Sequence, residues 1–156
     1  MGPAGSGKTT VGELLGARLS WKFFDGDSFH SPANIEKMSR GVPLTDEDRI
    51  PWLNSMREAM LQWEEQHQNV VLACSALKRS YRELLQISPT VKLVYLKANF
   101  ELLRERLRSR KGHYAGEQLL SSQFADLEAP TDALTIEVSR SPEEIVSEIC
   151  KQLALV

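Results

Sequence analysis

The sequence has little cysteine, little charge bias and no long apolar run, and each shortage removes a class of protein. Two cysteines in 156 residues, Cys74 and Cys150, are too few for a disulfide-stapled secreted fold. They show no zinc-site spacing. Cys74 lies in the apolar run VVLACSAL and Cys150 in a helical pattern. Both are expected as small buried thiols in a reducing compartment, not bonded to each other. No apolar stretch approaches the roughly 20 residues of a membrane span. The chain opens on a glycine loop, not a charged and then apolar leader, so a cytoplasmic location is expected. Nineteen Lys and Arg against 21 Asp and Glu leave a formal charge of -2. That balance argues against a general nucleic-acid or membrane-surface binder.

What is present is an ordinary globular composition, 42% hydrophobic and 26% charged, in a length that suits one domain over 1–156. Helical periodicity covers 9–20, 34–41, 45–68, 100–110, 117–128 and 142–155. Thr45 and Asp48 form a capping-box pattern, and Pro51 predicts a kink or a second helix start near Ile50. Short apolar runs at 22–27, 69–75, 91–98 and 133–138 have strand length. The run NVVLACS reads as a strand buried on both faces, with Ser75 capping a helix over 76–86. Strands and helices alternate, which predicts an α/β fold with a mostly parallel sheet between helical layers.

Residues 2–9, GPAGSGKT, match G-x-x-x-x-G-K-[ST] in full. Gly2, Gly5 and Gly7, with Ala4 and Ser6 between them, let backbone N–H groups turn toward phosphate oxygens. The helix behind, carrying Thr9 and Thr10, points its positive end at the same anion. Lys8 is placed to reach the β- and γ-phosphates of ATP, and the Thr9 hydroxyl is the expected Mg²⁺ ligand. Only Met1 precedes this loop, so the first strand of the sheet is expected to be missing or truncated.

FFDGD puts Asp25 and Asp27 at the C-terminal end of a strand, the edge where open α/β sheets bind ligands. Alternation along an extended chain gives both carboxylates one face. Asp27 can accept a hydroxyl proton while Asp25 holds metal-bound water. Further along, His30, Arg49, Lys78 and Arg82 follow predicted strand ends. Lys78 and Arg82 are four apart on one helical face, a candidate anion site. Arg106 and Arg110 share another face just before KGHYAG at 111–116, which reads as a Gly-bracketed loop. Cations there could close over phosphates as a lid.

The stretches DGDSFHSPANIEKMSRGVPLTDEDRIPWL, ACSALKRSYRELL, VYLKA and RLRSRKGHYAGEQLLSSQFADLEAP resemble the gluconokinase family, from Gly2 to about Pro130. The resemblance implies a three-layer parallel-sheet P-loop kinase fold, similar to nucleoside-monophosphate and shikimate kinases. It implies MgATP-dependent phosphorylation of D-gluconate at its 6-hydroxyl. A substrate arm would span about 28–68 and a lid about 106–118. Lys8, Asp27 and Arg110 would be catalytic, and Arg49 and Lys78 would lead His30 and Arg82 in holding the acceptor. By position, Arg106 is assigned to adenine and Arg110 to phosphate, with Lys111 and His113 as lid contacts. A homodimer is compatible with such kinases, though no stretch marks its interface. Two alternatives stay open: another small-molecule kinase such as a shikimate kinase, or a truncated nucleotide-binding module without catalysis. The glycine triplet of shikimate pockets is absent, and CSALKR stands where nucleotide kinases carry a DGFPR-like stretch.

Overall fold

The computed structural model describes residues 1–110 and 113–155, with 113–115 described by their backbone alone. Its elements alternate as the periodicity predicts: α1 (Lys8–Leu19), β1 (Lys22–Asp25), α2 (Pro32–Ser39), α3 (Asp46–Glu65), β2 (Val70–Ala73), α4 (Arg79–Leu85), β3 (Val94–Lys97), α5 (Phe100–Arg108), α6 (His113–Asp126), β4 (Leu134–Glu137) and α7 (Pro142–Gln152). β1 pairs with β2 and β3 with β4, both in parallel, in register Lys22↔Val70 and Val94↔Leu134.

Among the described residues β2 and β3 share no ladder. The start of the chain lies between them. Leu96 N–H donates to the Met1 carbonyl at 2.9 Å, and Gly2 N–H donates to the Ser75 carbonyl at 3.2 Å. The Met1 amino group donates to the Val94 carbonyl at 2.6 Å. Met1 and Gly2 therefore tie the two strand pairs together. Val70, Val71 and Leu72 are half-buried, not enclosed on both faces as the apolar run predicts.

The core has two parts. Val11 and Leu15 of α1 pack with Leu96, Ile136 and Val138 of the β3–β4 side and with Ile145, Val146, Ile149 and Cys150 of α7. Trp52, Leu53 and Met56 of α3 pack with Cys74, Ala76, Tyr81 and Leu85. Met56 is fully enclosed, so Met56→Ala would cost about 2–5 kcal/mol. Both cysteines are buried and free, as expected.

Three local expectations change. α3 runs unbroken through Pro51. The proline leaves only the Glu47 carbonyl without its helical N–H, near the solvated N-terminus, while the Thr45–Asp48 capping box and the Trp52, Leu53 and Met56 packing hold the helix. Ser75 does not cap α4. Its carbonyl is engaged by Gly2, Ala76 takes a positive φ of 45°, and the helix starts after Lys78. Residues 113–116, read as loop, are the first turn of α6. No helix among the described residues is long and apolar enough to cross a membrane.

Candidate active site

The phosphate loop is held by its own backbone. Gly7 sits at φ 94°, a left-handed conformation that admits glycine readily, and this turn swings the chain into α1. A side chain at Gly2 would meet Ser6 Oγ at 2.8 Å and the Leu96 carbonyl at 2.9 Å, so only glycine lets the loop enter this close to β3. α1 has no side-chain cap. The N–H groups of its first turn, from Lys8, Thr9 and Thr10, therefore lack helical partners and face outward with the positive end of the helix dipole. Lys8 Nζ donates to the Pro3 carbonyl at 3.0 Å and braces the loop. Burial pushes the Lys8 ammonium below its usual range, with Asp27 opposing that shift and Arg110 adding to it. Asp27 and Arg110 each lie within electrostatic reach of Lys8.

The two carboxylates reach the site by a different route from strand alternation. β1 ends at Asp25, and residues 26–29 form a 3-10 turn that Asp25 caps, accepting from Asp27 N–H at 2.9 Å. Its other oxygen, Oδ2, accepts from the Thr9 hydroxyl at 3.0 Å. The two expected metal-site residues therefore meet. They offer hard oxygen donors, and no group of three or more His, Cys, Asp or Glu able to hold a metal occurs among the described residues. Such a half-site fits Mg²⁺, which keeps waters and shares its coordination with nucleotide phosphates. Asp27 keeps an open carboxyl. Desolvation, and then the neighbouring Asp25 charge, push its pKa up, while Lys8 pulls it down.

The cations predicted to hold an acceptor separate into two groups. Arg49 is buried, at 8% exposure. Its Nη1 donates to the Tyr81 hydroxyl and to Asp126 Oδ2, each at 3.0 Å. Lys78 Nζ donates to Asp46 Oδ1 at 2.8 Å, which holds the ammonium above its usual pKa. The Tyr81 hydroxyl donates to the same Asp46, and both cations lie over its ring, at 5.5 and 5.7 Å from the centroid. Arg82 stands apart from this cluster. Its guanidinium donates to the carbonyls of Ala76, Leu77 and Glu128, so it staples the β2–α4 loop to the chain after α6. His30 is buried, stacked on Trp52 at 4.3 Å, and Asn34 approaches its Nδ1 at 3.3 Å. Burial and nearby Arg49 lower its pKa to about 4, so it is a neutral hydrogen-bonding group near pH 7 and not a cation.

Of the cations assigned to a lid, Arg106 donates to the Gly5 carbonyl at 3.2 Å and to the Val138 carbonyl at 2.8 Å. Arg110 is exposed. Lys111 and the His113 side chain lie outside the described residues. Sequence reasoning missed Tyr81, Asp46, Asp126 and Gln123, whose amide oxygen accepts from Ala4 N–H at 2.7 Å. Tyr81 had a usable signal, because it is three residues after Lys78 and so shares its helical face. The others had none.

Phosphoryl transfer is largely positioning plus charge stabilisation, and it needs a phosphate cradle with a nearby proton acceptor. The loop at 2–9 and the carboxylates of Asp25 and Asp27 meet here at the C-terminal edge of parallel strands, which defines the class: a P-loop kinase fold. Residues 4–154 match the family model described as shikimate kinase. The chain is 41% identical to the probable gluconokinase of Mus musculus, over 98% of this chain and 95% of that protein. The crystal structure of a gluconokinase from Sinorhizobium meliloti 1021 superposes with a TM-score of 0.87 at 40% identity, covering 99% of this chain and 89% of that one. A sugar kinase from Janibacter sp. HTCC2649 superposes with a TM-score of 0.91 at 39% identity, covering 100% and 92%. The chain belongs to the gluconokinase family, within the wider group that the shikimate kinase model covers.

Proposed function

We propose that this chain transfers the γ-phosphoryl group of ATP to the 6-hydroxyl of D-gluconate, forming 6-phospho-D-gluconate and ADP. The observation that carries the chemistry is the placement of Asp27: its N–H donates to Asp25 Oδ1 at 2.9 Å while Asp25 Oδ2 accepts from the Thr9 hydroxyl at 3.0 Å, which keeps the Asp27 carboxyl next to the start of α1. Asp27 takes the proton of the acceptor hydroxyl as its oxygen bonds to the γ-phosphorus. The bond from that phosphorus to the β–γ bridging oxygen breaks. Lys8 and the α1 N–H groups hold the phosphates through this change and stabilise the charge that passes to ADP. Mg²⁺, when bound, neutralises phosphate charge, with Thr9 and Asp25 as its protein partners.

Gluconate is a linear polyol ending in a carboxylate. The Arg49 and Lys78 cluster matches that end, and neutral His30 matches a hydroxyl. Arg106 and Arg110 serve adenine and phosphate at the lid, 106–118, and residues 28–68 form the substrate arm. Arg82 supports the site from behind. ADP release measured with MgATP and a panel of gluconate, shikimate and nucleoside monophosphates tests the reading. Gluconate is expected to be fastest, and an equal or better rate with another acceptor would overturn the assignment.

A further inference from the structure

Both cations assigned to the acceptor's carboxylate are already paired with carboxylates of the protein. Asp126, Arg49, Tyr81, Asp46 and Lys78 form one chain of contacts in which acid and base alternate around a phenol. The two acids differ in origin. Asp46 belongs to the first turn of α3, the helix that carries Arg49, where the helix dipole favours a negative charge. Asp126 comes from a separate element, as the last residue of α6. It reaches across to Arg49, which is buried and would otherwise hold an unpaired charge out of water.

The Arg49 fork is only half used. Nη1 carries both of its contacts, and among the described residues Nε and Nη2 make none. An arriving carboxylate would therefore share one guanidinium with Asp126, at a separation where like charges repel. We propose that Asp126 is a built-in stand-in for the acceptor's carboxylate: it neutralises Arg49 while the site is empty and competes with the acceptor for that charge. The proposal rests on the reading that Arg49 receives the acceptor's carboxylate. It makes Asp126 a residue that sets acceptor affinity without touching the reacting atoms.

Asp126→Asn is the direct test, because an amide oxygen can still accept from Arg49 Nη1 while the charge is gone. α6 keeps its other attachment, Gln123 to Ala4 N–H, and the following Glu128 keeps its bonds to Leu77 and Arg82. Steady-state kinetics should show the KM for gluconate falling about three- to ten-fold, with the KM for MgATP held and kcat changed less than two-fold. Asp126→Glu, which restores the competing charge, should return KM toward the parent value. Inhibition by D-glucitol, the same polyol without a carboxylate, should not tighten in Asp126→Asn. A KM for gluconate that rises or stays level, or an equal gain for D-glucitol, overturns the proposal alone. No gluconate turnover by the parent enzyme overturns the functional reading and this proposal with it. Thermal midpoints of both variants separate loss of folding from either result.

Discussion

The two ends of the proposed site are built from different materials. The phosphate end is mostly backbone: glycine conformations, an uncapped helix N-terminus and one braced lysine. The acceptor end is mostly side chains, drawn from α3, α4 and α6 and already paired with one another. A backbone cradle has its donors ready, and an anion need only displace water. A side-chain cluster must be held by internal partners, and those partners then oppose the ligand. Affinity for phosphate should thus be insensitive to most single substitutions, whereas acceptor affinity should respond in either sign.

The comparison can be broken most forcefully at the point between the two ends. Asp27→Asn should lower kcat by about 10²–10⁴-fold while nucleotide affinity stays within a few-fold, because it removes a proton acceptor and not the cradle. Normal turnover in that variant would remove Asp27 from the chemistry. Lys8→Ala should cost about 10²–10³-fold in kcat through lost charge stabilisation. If it left both rate and nucleotide affinity unchanged, the loop would not be the phosphate site.

At the acceptor end, pH sharpens the contrast. Native His30 has its pKa lowered to about 4, so the unfolded chain, titrating near 6.5, binds the extra proton. Stability from its burial is full above pH 6.5 and is lost as pH falls toward 4, by up to about 3 kcal/mol. Urea midpoints measured from pH 7 to 4 should fall less steeply in His30→Gln than in the parent. The smallest effect belongs to Tyr81→Phe, which removes the hydroxyl linking Arg49 to Asp46. It should raise the KM for gluconate a few-fold and cost about 1 kcal/mol of stability, with the KM for MgATP unmoved. A larger change in the KM for MgATP than in that for gluconate would dissolve the division between the two ends.

The same division explains what could be read in advance. Thr45–Asp48 capping and the loop at 2–9 are contiguous patterns, and each appears where its spacing puts it. The Thr9–Asp25 contact joins two such patterns across 16 residues. Arg82 shows the opposite case. Helical spacing from Lys78 recommended it as strongly as Tyr81, but whether a side chain four residues on meets a ligand or a carbonyl depends on what packs above it. Here the chain after α6 supplies the Glu128 carbonyl, and Arg82 is used structurally.

The sequence by itself determined the alternation of strands and helices, the glycine turn ahead of α1 and the Asp25 carboxylate at the end of β1. These follow from local preferences: periodicity, positive φ and the chemistry of a helix N-terminus. Only the tertiary structure decided that Asp126 would face Arg49 across 77 residues, that Tyr81 would link two cations, and that His30 would be stacked and neutral. Pairing of buried charges depends on which elements meet in space, and no spacing along the chain encodes that.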